Sequence, residues 1–112
     1  MDARTFDGTR WHVLAVNQHI TPNKGDYRIE FQDGRISARF GCNSIGGSYS
    51  ATGGRLTTHQ LISTKMACGA PADEFEKAGA GILNAPLRIR ESGKGRLRLS
   101  NRIGSLDLET LR

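Results

Sequence analysis

Along most of this chain apolar and polar residues alternate with a period of two, the pattern of strands that bury one face and wet the other. In YRIEFQDGRISARF, Tyr27, Ile29 and Phe31 alternate with Arg28 and Glu30, and Ile36, Ala38 and Phe40 alternate with Arg35, Ser37 and Arg39. Asp33-Gly34 stands between the two runs. A tight hairpin turn requires positive φ at its central residues, which Asp and Gly tolerate, so the pair predicts a hairpin. A second is predicted where Gly53-Gly54 separates a strand near Gly47–Ala51 from one near Arg55–Thr58. Two more follow near the C-terminus: Leu87–Arg90, a Gly93-Lys94-Gly95 turn, Leu97–Leu99, a turn over Asn101–Gly104, and Leu106–Glu109. The first strand is expected over Trp11–Gln18, ending before the loop Thr21-Pro22-Asn23-Lys24-Gly25.

One segment breaks the period. In APADEFEKAGAGILNAP, Phe75, Ala78, Ile82 and Leu83 recur at helical spacing. Pro71 suits a first turn, and Asp73, Glu74 and Glu76 suit the positive end as solvated charges, while Pro86 stops the helix. Gly79 and Gly81 each weaken it by about 1 kcal/mol relative to alanine, so packing on the sheet must hold it. Their missing side chains would let strands approach closely. The fold class is therefore α+β: one domain over 1–112, core about 6–111, with a curved antiparallel sheet of about eight strands wrapped on one helix inserted before the last three.

At 112 residues the chain has room for one core. No run reaches the roughly 18 apolar residues of a membrane helix, and Met1–Asp2–Ala3–Arg4 is not followed by an apolar signal core. A net charge of +5 permits attraction to nucleic acid or to an anionic membrane. Only 6% of residues are aromatic and none is interleaved with the arginines as a base-stacking surface would need, so no nucleic-acid partner is expected. The charge is concentrated late in the chain: Arg88 and Arg90, then Arg96 and Arg98, alternate with Leu87, Ile89, Leu97 and Leu99, which puts all four on one solvated face, with Arg102 in the turn beyond. This face is either a solubilising surface balanced by Glu91, Asp107 and Glu109, or a weak contact for anionic phospholipid headgroups.

The two cysteines, Cys42 and Cys68, decide whether chemistry is on offer. A cysteine nucleophile would use Cys42 or Cys68 with His59 as base, but no local nucleophile motif surrounds either cysteine. Their wide spacing and the absence of paired histidines argue against zinc. Gly46-Gly47 and Gly53-Gly54 lack the Lys and Ser/Thr of a phosphate loop and fall between strands, which makes them turn residues. No catalytic residue, metal or cofactor is therefore expected. Two readings of the cysteines stay open: a disulfide, or two buried free thiols. Closing a loop of about 27 residues would stabilise by roughly 3.5 kcal/mol in the chain-entropy model, given an oxidising compartment.

GCNSIGGSYSATGGRL followed by LISTKMAC resembles the META domain family of HslJ-like, heat-shock-inducible lipoproteins. FDGTRWHVLAV is similar to the family's opening Gly-Thr-x-Trp strand and YRIEFQDGRIS to its next hairpin, so the likeness spans about Phe6 to Leu111. The resemblance implies an antiparallel sheet wrapped on a helix, a periplasmic or outer-membrane-associated home in the bacterial envelope, and no known catalysis. It points to stress-related binding of an envelope protein or an apolar ligand by a monomer. The motif residues Gly41, Cys42, Asn43, Gly47, Tyr49, Ser63, Thr64, Met66, Ala67 and Cys68 have structural jobs open to them. Gly41 and Asn43 suit positive φ at a strand exit, and the Asn43 side chain can bond nearby backbone. Ser63 and Thr64 can cap the segment leading to Cys68, and Met66 can fill an irregular gap in the core. Trp11 and Tyr49 are expected as core anchors.

Overall fold

The computed structural model describes residues 3–111, so both ends of the expected 1–112 domain reach past the described residues. In chain order the elements are α1 (Ala3–Phe6), β1 (Thr9–Val16), β2 (His19–Ile20), β3 (Tyr27–Gln32), β4 (Arg35–Phe40), β5 (Ser44–Thr52), β6 (Arg55–Ser63), α2 (Ala72–Leu83), β7 (Leu87–Gly93), β8 (Arg96–Ser100) and β9 (Ser105–Thr110). The strands run β2-β1-β3-β4-β5-β6-β7-β8-β9 and β1 also pairs with β9, so β1 and β3 to β9 close into an eight-stranded antiparallel barrel. The expected α+β sheet curved about one helix is present. Closure removes both of its edges.

The turns form where backbone freedom predicts them. Asp33 (φ 53°) with Gly34 (φ 76°) and Gly53 (φ 60°) with Gly54 (φ 76°) make the two expected hairpin turns. The first strand is shorter than expected at its end, because Asn17 (φ 51°) and Gln18 (φ 69°) turn the chain back into β2. Inward positions at alternate residues fill the barrel: Ile29, Phe31, Phe40, Leu56, Leu87, Leu97, Leu99, Leu106 and Leu108 are buried.

Each mouth of the barrel is plugged by a helix. At the β3–β4 turn, Phe6 of α1 is wholly buried, its ring 4.7 Å from Phe31 and 6.4 Å from Tyr49. Beside it the Asp7 carboxylate accepts from the Tyr49 hydroxyl and from the Gly34 N–H at 3.2 Å. At the opposite mouth α2 lays Phe75 edge-on against Tyr27, centroids 5.3 Å apart. A Cβ on Gly79 would sit 2.6 Å from the Phe40 ring, whereas one on Gly81 would meet nothing within 4 Å. Close approach to the sheet is thus a property of Gly79, and the expectation for Gly81 is corrected: it faces open space. The last helical carbonyls are satisfied by neighbours, Leu83 O by the Thr58 hydroxyl at 2.6 Å and Ile82 O by Asn101 Nδ2 at 2.9 Å.

The helix interrupts the wall where it enters. β6 pairs with β7 through Arg55↔Arg88 and Leu56↔Leu87 alone, the shortest seam in the barrel proper. A bulge between Gly46 and Ser48 bends β6 over Gly47, where a Cβ would lie 2.7 Å from the His59 carbonyl oxygen.

Candidate functional site

The motif residues assemble into one knot. Cys42 and Cys68 are joined in a disulfide with Cα atoms 6.1 Å apart, which settles the two readings left open by the sequence. Next to it the Asn43 side chain spends its hydrogen-bonding groups on the arriving loop. Its Oδ1 accepts from Met66 N (2.7 Å) and Thr64 Oγ1 (2.8 Å), and its Nδ2 donates to Met66 O (3.1 Å) and Glu76 Oε2 (2.9 Å). The Asn43 N–H donates to Glu76 Oε1 at 2.6 Å, and Thr64 Oγ1 accepts from Ser44 N at 3.1 Å. Gly41 takes φ 96°, and a Cβ there would lie 2.5 Å from the Tyr27 hydroxyl and 2.9 Å from Ala72 Cβ. Only glycine fits between the barrel and the helix at that point.

Several expectations are corrected by this arrangement. Asn43 is not among the residues with positive φ; its amide does the work instead. Glu76 is no mere solvated charge, since it receives two bonds from Asn43. Met66 leaves its side chain 54% exposed and contributes its backbone, so it fills no core gap. Thr64 binds Asn43 as a partner of the loop, Ser63 ends β6, and Ala67 is exposed. Tyr49 and Trp11 are buried anchors, the indole N–H donating to Thr9 Oγ1 at 2.9 Å. Burial, then the hydrogen bond and charge of Asp7, raise the Tyr49 phenol well above its ordinary value, and burial followed by Asp26 raises Tyr27.

The histidines are dispersed. His12 is buried with Nδ1 3.0 Å from Tyr27 O, His19 is exposed on β2, and His59 is exposed with Nε2 3.5 Å from Ser50 Oγ. Among the described residues no group of three or more His, Cys, Asp or Glu is placed to hold a metal ion.

Among the described residues two surfaces bear on binding. One is an apolar groove of about 480 Å³ between the flank of α2 and the end of β1, walled by Val16, Pro71, Phe75 and Ala78, with Asn17, His19 and Glu74 at its rim. It continues past Lys77 and Gly81 to the exposed Ile103. None of these residues was singled out by sequence as a ligand contact. The other surface concerns the arginines. Arg98 is held by Asp107 (2.8 Å) and Arg96 by Glu109 (3.2 Å), so two of the four expected headgroup contacts are already neutralised. Arg88 and Arg90 carry no ion pair among the described residues, and Arg55 joins Arg88 across the β6–β7 seam.

The family model of the META domain matches residues 4–110 of the chain. Two NMR structures share its fold. A protein from Burkholderia xenovorans is 22% identical with TM-score 0.79, over 97% of this chain and 86% of that one. A second protein is 20% identical with TM-score 0.83, over 97% of this chain and 94% of that one. No curated protein matches it.

Proposed function

The chain belongs to the META domain family, and from that premise we propose a non-enzymatic binding module of the bacterial envelope that takes an apolar ligand in the groove beside α2. The observation that carries this reading is the groove itself, about 480 Å³ of mostly apolar wall, a size typical of small-molecule sites. Its helical wall is fixed at one end by Asn43 on Glu76 and at the other by Asn101 and Thr58 on the last carbonyls. A rigid wall binds without first having to be ordered, which lowers the entropic cost of association. An acyl chain suits such a channel because it demands no hydrogen bonds along its length, while Asn17 and His19 at the rim can meet a polar end. The disulfide supports a periplasmic or outer-membrane-associated site of action, where oxidising conditions keep it closed. A stress-related role belongs to the same proposal, since unfolding proteins expose apolar segments that such a groove could also receive.

A fluorescent fatty acid titrated into the protein should bind saturably and perturb amide resonances at Val16, Phe75 and Ala78. Ala78→Glu, which keeps a good helix former while placing charge in the groove, should weaken binding by about tenfold or more in protein whose amide spectrum shows it still folded. Non-saturable binding, or equal binding by Ala78→Glu, would sink the reading. An apolar peptide that perturbs the same amides while fatty acids do not would reassign the ligand to a partner protein.

A further inference from the structure

Arg55 of β6 and Arg88 of β7 stand directly opposite one another in the antiparallel register. Their neighbours Leu56 and Leu87 are wholly buried, so alternation sends both guanidinium groups to the outer face, where both residues are exposed. Like charges directly opposite each other destabilise a strand pair. Here they sit on the seam with just two register pairs. The neighbouring row shows how the protein handles the same problem elsewhere: Arg90 faces Arg98, and Asp107 on the next strand takes Arg98 through Nε at 2.8 Å and Nη2 at 3.4 Å. The row of Arg55 and Arg88 continues into Ser100 and Ser105, which bring hydroxyls and no negative charge. Among the described residues neither Arg55 nor Arg88 has an ion-pair partner.

A third arginine completes the cluster. Arg102, in the β8–β9 turn, lines the same open groove of about 510 Å³ with Arg55, Arg88, Ser100 and Asn101, and that lining contains no carboxylate. The turn is held in place by Asn101, whose Nδ2 donates to Ile82 O and Ala85 O while its Oδ1 accepts from the N–H groups of Ile103 (2.8 Å) and Gly104 (3.1 Å). The backbone carrying Arg102 is thus fixed relative to the seam.

We infer that Arg55, Arg88 and Arg102 form a binding site for a phosphate-type oxyanion, the group whose geometry the guanidinium fork matches. The Ser100 hydroxyl supplies a further donor. An anion lodged between Arg55 and Arg88 turns a repulsion into a bridge across the weakest seam of the barrel. The site is independent of the apolar groove, although Ile103 borders both. The phosphate belongs either to a free phosphate ester or to a phospholipid headgroup, and the two sources are separable.

In phosphate-free buffer, inorganic phosphate should shift the backbone amides of Arg55, Arg88 and Arg102 saturably, and chloride at equal ionic strength should not. Arg88→Gln and Arg55→Gln should each weaken phosphate binding about tenfold. Without phosphate each should keep or raise the melting temperature, because a like-charge contact is gone. Vesicles of phosphatidylglycerol provide the second arm: binding that is lost in Arg88→Gln assigns the phosphate to a headgroup, and no vesicle binding beside intact phosphate binding assigns it to a soluble ester. Shifts no larger with phosphate than with chloride, or wild-type phosphate affinity in both variants, overturn the proposal. Inorganic phosphate has no apolar part, so that failure would leave the reading of the α2 groove standing, and failure of the fatty-acid titration would leave this one.

Discussion

The Glu76 carboxylate receives two hydrogen bonds from a single residue, the Asn43 N–H at 2.6 Å and the Asn43 side-chain amide at 2.9 Å. Asn43 is 5% exposed and bonds Met66 on its other side, so this one residue ties β5's entry, the disulfide loop and α2 together. Asn43→Ala leaves the Met66 N–H and C=O without their partner and takes from Glu76 one of its two bonds, the backbone N–H of residue 43 keeping the other. A buried group left unsatisfied costs about 1–3 kcal/mol. The expected loss is about 2–4 kcal/mol in denaturant titration, and Asn43→Asp should cost at least as much near neutral pH because it sets a second carboxylate against Glu76. A loss below about 0.5 kcal/mol in Asn43→Ala would show the knot to be dispensable.

The disulfide gives a test by non-additivity. Cys42→Ala and Cys68→Ala remove the same cross-link, so each should cost roughly 3.5 kcal/mol and the double variant little more than either alone. Cys42 is buried and Cys68 half-exposed, so the Cys42 variant should be the worse of the two by the small cavity it leaves. Alkylation of denatured, unreduced protein should add no mass. Costs that sum in the double variant would mean that the side chains act separately.

The two helical glycines should respond with opposite signs. Gly79→Ala drives a methyl into the Phe40 ring and should destabilise by about 1–3 kcal/mol. Gly81→Ala meets open space and should stabilise by about 0.5–1 kcal/mol through helix propensity and a less flexible unfolded chain. Thermal melts of both variants suffice, and matching signs would contradict the packing of α2 described above.

How legible was all this in the sequence? Alternation reports which face a residue uses, and for that reason the hairpins at Asp33-Gly34 and Gly53-Gly54 and the inward leucines of β7 to β9 were readable. It does not report which strand lies next door. The β1–β9 closure and the Arg55–Arg88 contact join residues far apart in sequence, and nothing local marks them. The turn at Asn17-Gln18 was missed because it places a glutamine at positive φ, where glycine is the usual signal. Phe6 closes the barrel from a helix of four residues, too short to show a period. The motif itself was readable as a structural unit with its cysteines, yet its hub was hidden: Glu76 looks like any acidic residue of a helix's first turns until Asn43 is placed against it.

Both tyrosines of the chain, Tyr27 and Tyr49, have phenols raised above the ordinary value of 10.0 by burial, Tyr49 further by Asp7. A group whose folded value is raised adds stability that is complete below its unfolded value and is lost as pH climbs toward the folded one. The protein should therefore weaken from about pH 10 upward. Ultraviolet titration should show neither phenol ionising near pH 10 while the fold persists, and Tyr49→Phe should flatten the alkaline loss. Ionisation of both at pH 10 in folded protein would contradict the burial of the rings.

The outer face of β7 and β8 separates two arginines that sequence placed on equal terms. Arg90 stands opposite Arg98, and Arg98 is bonded to Asp107, which holds its guanidinium charged. Reversing Arg98 to glutamate breaks that bond and sets a carboxylate beside Asp107. The reversal loses the pair and sets a repulsion in its place, so the melting temperature should fall measurably. Reversing Arg90 replaces a like-charge contact with an opposite one and should leave stability unchanged or raise it by a few tenths of a kcal/mol. The sequence alone predicts near-neutral melting for both, because both read as solvated. Any vesicle binding should divide the same way, because Arg90 has no ion pair among the described residues while Arg98 spends its charge on Asp107. Arg90→Gln should thus weaken binding to anionic vesicles at low salt more than Arg98→Gln does, and equal effects of the two would show that the cross-strand pairing does not govern the charge this face presents.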